Sequence, residues 1–224
     1  MSQRNRRMAP TGASEKREKA TEALLDAAER LLIQHGHAGI TTRALASEAD
    51  VNHGLVHYYF GSMEEVLVQV LERFTERLIS RQRAMYSADV PFRTKWETAW
   101  SYQDRDIDSG YTKIWLELQA LAWNRPELRE RVARVNDEWR AVLTEAFTKA
   151  LDEYGIADRF PAEAVVPLVM TFAQGVALER LSGIEEGHAR LLSWIHDWLE
   201  SLETRASTRG TPARAASPGS GENR

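Results

Sequence analysis

ITTRALASEADVNHGLVHYYFGSM, residues 40–63, reads as a short helix, a tight corner, a second short helix and the start of a longer one. Thr41 can cap the first helix, because its side-chain oxygen can accept a backbone N–H that has no partner inside the helix. Leu45, Ala46 and Ala49 fall at helical spacing and give that helix a small apolar face. Asp50 suits the corner, since Asp tolerates left-handed backbone better than most residues. Val51 plugs it. Asn52 is a strong cap for the second helix, whose inner face is Val56 and Phe60. The outward face holds His53, Gly54, Leu55, His57 and Tyr58, which are polar, aromatic or small, with no fixed charge. A helix lying in a DNA major groove presents such a face. An ordinary corner in an all-α protein is the alternative reading of this stretch alone.

Thr41, Leu45-Ala46, Ala49-Asp50-Val51, His57-Tyr58-Tyr59-Phe60 and Ser62-Met63-Glu64-Glu65 together resemble the helix-turn-helix of the tetracycline-repressor (TetR) family of bacterial transcription regulators. Three positions depart from the family pattern: Asp50 stands where Gly is usual, His57 where Tyr is usual, and Met63 where Lys is usual. The resemblance implies an all-α fold of about nine helices. Three N-terminal helices would form a DNA-binding domain, and a larger helical domain would bind ligand and dimerise. It also implies roles along residues 41–58. Thr41, Arg43 and His57 would hold phosphates, while His53, Leu55 and Tyr58 would meet base edges or thymine methyls. Thr42, Asn52 and Gly54 complete the expected contact set.

The whole chain fits that class. Its 224 residues allow one large domain or two small ones, and 43% hydrophobic residues suffice for a core. Absence of cysteine excludes disulfides, thiol catalysis and thiolate metal sites. No apolar run approaches a membrane span of about 20 residues and no signal-peptide pattern opens the chain, so the expected location is cytoplasmic, with no membrane partner. Net charge is −4, unusual for a nucleic-acid binder. Residues 1–13 and 204–224 each carry +3, so the acid sits between them, mostly in residues 61–203. DNA contact therefore leans on helix N-termini, hydroxyls, imidazoles and a basic arm rather than on a lysine field.

Outward from the corner, residues 1–13 read as a disordered basic arm, and 14–62 as the DNA-binding domain, its first helix running from Ser14 to Gly36. Residues 63–203 read as the ligand-binding and dimerisation domain, and 204–224, rich in Pro, Gly and Ser, as a disordered tail. Ser62 with Glu65 makes a capping box that opens a helix to about Met85. Further helices are expected over about 91–103, 111–124, 126–154, 161–183 and 186–203. DRDIDSG, residues 104–110, reads as a solvated acidic loop.

The body is rich in tryptophan. Trp96, Trp100, Trp115, Trp123 and Trp139, with Gln119, Met170, Phe172 and Gln174, are the candidate lining of an aromatic cavity. Tyr102, Tyr111 and Asn136 are further polar candidates. Glu117, Glu138 and Glu179 on otherwise apolar helices leave a caged cationic ligand open, against ordinary solvated or Arg-paired carboxylates. Leu191, Ile195, Trp198 and Leu199, beside Trp194, exceed what one core needs and suggest a homodimer through the last two helices. Catalysis finds no support: no phosphate loop is present, and the six histidines fall in loops or on the expected DNA-reading head, His35 and His37 lacking a third ligand for a metal. No cofactor and no metal are expected. The reading is a ligand-responsive DNA-binding regulator, most simply a repressor released from a pseudo-palindromic operator by an apolar or aromatic molecule. A DNA-binding protein without an effector, or an all-α enzyme, are the alternatives.

Overall fold

Side-chain caps set where the early helices begin. The computed structural model describes residues 12–210. The expected basic arm and the end of the expected tail, 1–11 and 211–224, lie outside the described residues. α1 is Gly12–His35, followed by one 3-10 turn, His37–Gly39. α2, Thr42–Glu48, starts where Thr41 Oγ1 accepts from Ala44 N at 3.1 Å. α3, His53–Phe60, starts where Asn52 Oδ1 accepts from Gly54 N at 2.9 Å. α4, Met63–Ser87, starts where Ser62 Oγ accepts from Glu65 N at 3.1 Å. Only half of the expected capping box forms, because Glu65 turns along the helix and accepts from Gln69 Nε2 at 3.0 Å.

Five helices follow: α5 Phe92–Asp108, α6 Tyr111–Ala122, α7 Pro126–Tyr154, α8 Ala162–Leu181 and α9 His188–Gly210. Nine helices and no strand occur among the described residues. α5 runs on through Asp104–Asp108 of the expected acidic loop. Its acids are placed on the helix by partners: Asp106 pairs with Arg81, and Asp104 with Arg180. The chain then turns at Gly110, at φ 82, where a Cβ would lie 2.7 Å from Ile33 Cγ2 of α1. Only glycine allows that approach. At the other end, α9 continues two turns past the expected stop at Glu203. Ala206 packs on the core there, and the Thr204 and Ser207 hydroxyls donate back to the carbonyls of Glu200 and Glu203.

Two apolar cores result. The first joins α1, α2 and α3 to the first half of α4, to Ile114, Trp115 and Leu118 of α6, and to Leu128, Val132 and Val135 of α7. The second joins Phe92 and Trp96 of α5, Leu143 to Tyr154 of α7, Val166 and Met170 of α8, and Leu199 and Leu202 of α9. Burial of these side chains at about 25 cal/mol per Å² is the main force holding the helices together.

α8 corrects one expectation. It is 20 residues long with a mean hydropathy of 1.3, long and apolar enough by length and composition to cross a membrane. Its charges, Glu163, Glu179 and Arg180, sit at its ends. One face packs on α7 through Val166 and Met170, while Leu168 and Leu178 on the other face are exposed.

The corner between α2 and α3 holds the one described non-glycine residue at positive φ, Asp50 at 53°. Val51 N closes it onto Ala46 O at 2.9 Å. Asp50→Val should cost about 1–2 kcal/mol of unfolding free energy, whereas Asp50→Gly should be neutral or stabilising. Urea unfolding of both variants checks this; equal stability of the Val variant and the parent would contradict a left-handed corner.

Candidate functional site: an outward helix and an aromatic cavity

α3 is anchored from below and bare above. Val56 and Phe60 are buried in the first core, Leu45 and Ala46 of α2 beneath them. His53, Gly54, His57 and Tyr58 are exposed, Tyr58 at 73%, and Leu55 is half-buried. Asn52, Thr41 and Arg43 flank them and are also exposed, while Thr42 is half-buried. So the nine expected contact residues lie on, or cap, the two contacting helices α2 and α3. Thr41 and Asn52 each use an oxygen to accept a backbone N–H, which leaves the Thr41 O–H and the Asn52 amide N–H free to donate outward. Tyr58 is propped edge-on by Tyr59, ring centroids 5.2 Å apart. His57 Nδ1 lies 3.2 Å from the Gly61 carbonyl, so it serves as donor there and directs Nε2 away. Met63 packs against the first core and offers no charge to a phosphate.

Behind α3, the head is clamped to the body by a buried carboxylate. Glu29 of α1 is 6% exposed and takes Arg77 Nη2 at 2.6 Å, Arg73 Nε at 3.3 Å and the Tyr111 hydroxyl at 3.3 Å. Burial pulls the Arg73 guanidinium down, but its hydrogen bond to Asp26 and the Glu29 charge outweigh burial and raise it. Burial, then the Glu29 charge, push the Tyr111 phenol up. Both keep the protonated form that the clamp uses.

A cavity of about 110 Å³ lies where the two cores meet. Phe74 and Trp115 come from the first core, and Trp96, Leu143 and Met170 from the second. Of the expected lining, Trp96, Trp100, Trp115, Trp139, Met170 and Gln174 reach it. Three do not. Phe172 sits one layer out, edge-on to Trp100 at 5.3 Å. Gln119 is half-buried on α6 a turn past Trp115, away from the cavity. Trp123 follows the last turn of α6 and is 75% exposed. α4 contributes liners that sequence reasoning missed: Phe74, Leu78, Gln82 and Tyr86. A signal was present, since Gln82 interrupts an apolar stripe at four-residue spacing. Asp106 of α5 was hidden by reading residues 104–110 as loop, and Gln103 stood at the very end of the helix expected before it.

The carboxylates considered for a cationic ligand are engaged or exposed. Glu117 accepts from His37 N at 2.5 Å, Glu179 meets His188 Nε2 at 2.6 Å, and Glu138 is exposed; none lines the cavity. His196, Asp197 and Glu200 on α9 form a group close enough for a metal. Both ring nitrogens of His196 already face partners, Glu97 at 3.0 Å and Arg93 at 3.3 Å. Trp139 Nε1 and Gln82 Oε1 are buried without a hydrogen-bond partner.

Comparison with known proteins agrees with this layout. Residues 24–70 match the model of bacterial regulatory proteins of the tetR family, and residues 99–203 that of the BetI-type transcriptional repressor C-terminal domain. An HTH-type transcriptional repressor of Mycobacterium tuberculosis is 34% identical over 86 residues, 38% of this chain and 44% of that protein. The HTH-type transcriptional regulator BetI of Burkholderia mallei is 29% identical over 116 residues, 50% of this chain and 59% of that protein. The chain thus spans about half the length of the curated relatives it matches. Among solved structures, the fatty acid degradation regulator FadR of Bacillus halodurans superposes with a TM-score of 0.66 at 18% identity, covering 80% of this chain and 94% of that one. A transcriptional regulator of Saccharomonospora viridis, solved with choline, gives 0.63 at 16% identity, covering 84% and 96%. FadR of Bacillus subtilis, solved with stearoyl-CoA, gives 0.66 at 15% identity, covering 80% and 96%. At these identities the solved structures speak for the fold alone. With its helix-turn-helix and its helical body each matched by a model of that family, the chain belongs to the tetR family of bacterial regulatory proteins.

Proposed function

We propose that the chain is a homodimeric, sequence-specific DNA-binding regulator of transcription, most simply a cytoplasmic repressor that a small, largely apolar or aromatic molecule releases from a pseudo-palindromic operator. The observation that carries it is α3, exposed and uncharged along one face, mounted on a helix that itself lines a cavity. Two such helices one DNA turn apart, about 34 Å, would enter successive major grooves. His53, Leu55 and Tyr58 would read base edges and methyls, and Thr41, Thr42, Arg43, Asn52, the Gly54 backbone and His57 would hold the backbone. No enzymatic role is proposed.

The effector reading rests on the cavity and its unpartnered polar atoms. A body merely packed solid, as a regulator without an effector would have, gives no reason for a buried indole N–H to lack an acceptor. Two fold relatives were solved with small molecules of very different size, choline and stearoyl-CoA, which supports a body that can be retuned to many ligands. A molecule that fits only one spacing of the heads shifts the population toward it.

The dimer reading rests on an apolar surface. Leu178 of α8, Ile184 in the following turn, and Leu191, Trp194 and Trp198 of α9 are all exposed. Such a surface, on a helix pair, fits a two-fold four-helix bundle.

Three outcomes follow. A duplex selected from a random pool at fixed salt should bind Tyr58→Ala about tenfold more weakly, with the dimer intact in sedimentation; unchanged affinity would remove Tyr58 from the interface. With Nδ1 donating to Gly61, His57 turns Nε2 away from its own helix end. His57→Ala should therefore weaken binding of the same duplex several-fold, and unchanged affinity would remove His57 from the interface. Leu178→Glu with Trp194→Glu should give a folded monomer that loses operator affinity at least about a hundredfold, the avidity of two linked heads. A persistent dimer would place the interface elsewhere.

A further inference from the structure

Chemistry at the cavity wall restricts what can enter. Asp106 is the sole carboxylate among its described liners, and no Lys, Arg or His lines it. Both Asp106 oxygens are held by Arg81, Nη1 at 2.9 Å from Oδ1 and Nη2 on Oδ2. The Arg81 guanidinium also lies over the Tyr102 ring, 4.6 Å from its centroid. The pair is neutral overall, with Arg81 Nε buried and left without a partner. A cation entering the cavity would shed its water with no free counter-charge to meet, and an anion would find no basic side chain among the described liners. Tyr86 adds no charge, since burial pushes its phenol up and keeps it protonated.

Among the described liners, two fully buried polar atoms have no hydrogen-bond partner. Gln82, 6% exposed, lines the cavity and its Oε1 is buried with no partner. Trp139 Nε1 is likewise buried with no acceptor. One asks for a donor and the other for an acceptor, and a hydroxyl supplies both. The volume, about 110 Å³, is somewhat below the roughly 150 Å³ cavity that admits benzene elsewhere, so a single ring is the natural scale once the walls relax.

We infer that the cavity takes an uncharged, one-ring-sized aromatic or apolar molecule bearing a hydroxyl group, held by Gln82 and Trp139, and that it excludes organic cations and carboxylates. This rests on the effector reading above and narrows it to a ligand class. Four molecules of one size separate the terms: benzyl alcohol, toluene, benzylamine and benzoate, titrated at pH 7 into the full chain by calorimetry and tryptophan fluorescence. Benzyl alcohol should bind several-fold more tightly than toluene, and at least tenfold more tightly than benzylamine or benzoate. Trp139→Phe and Gln82→Met should each bring benzyl alcohol down to the toluene level while leaving toluene unchanged, which also shows that the variants fold. Tighter binding of benzylamine or benzoate would overturn the ligand class and leave an effector cavity standing. Equal binding of benzyl alcohol and toluene by the parent would overturn the roles of Gln82 and Trp139. No saturable binding by any of the four would overturn the effector cavity itself.

Discussion

One unbroken helix joins the part of this molecule that faces outward to the part that is hollow. α4 begins at the Ser62 cap, directly after the outward helix, and ends at Ser87. Its 25 residues span about 37 Å and contain neither Pro nor Gly, so no kink is built in. Val66, Val70 and Leu71 fix its first half in the core beneath α3. Phe74, Leu78 and Gln82 form part of the cavity wall in its second half. A rod without a built-in kink passes a displacement along its length more readily than it bends sharply. On the proposed effector reading, movement of the wall at Leu78 and Gln82 tilts α3.

Electrostatics keep the rod attached on both sides. Arg73 and Arg77 of α4 reach Glu29 of α1, and Arg81, one turn on, reaches Asp106 of α5. These guanidiniums are engaged by carboxylates of the protein itself. That fits the proposed DNA reader with its net charge of −4: part of its basic complement is structural, and the proposed reading end offers hydroxyls, an amide, imidazoles and the exposed Arg43. The same economy leaves the cavity without free charge, although an acid sits in its wall.

The helix-turn-helix was legible because each of its constraints is local. A cap, a residue suited to positive φ and an apolar pair at four-residue spacing lie within 24 residues, and Thr41, Asp50, Asn52, Val56 and Phe60 occupy those roles. Long-range placement was less legible. Residues 104–110 look like loop by composition, yet Arg81 and Arg180, distant in sequence, hold Asp106 and Asp104 on a helix. Tryptophan content signalled a cavity but not its membership: Trp115 and Trp123 lie on one short segment, and only Trp115 faces inward. Gln82 went unnoticed because a single polar residue in an apolar stripe acquires meaning only when the opposing helices are known. The length of α9 depended on Ala206 finding the second core.

The central claim is that cavity occupancy and head spacing are one mechanical variable. The chain has no cysteine, so Ser47→Cys, at an exposed position on α2, places one spin label on each head. Pulsed electron resonance then measures the distance between heads of a dimer bound to a selected duplex, free, and with the cavity filled. The account predicts one narrow distance on DNA, and a shifted one when a molecule that releases DNA occupies the cavity. Release of DNA with no change in that distance would contradict it.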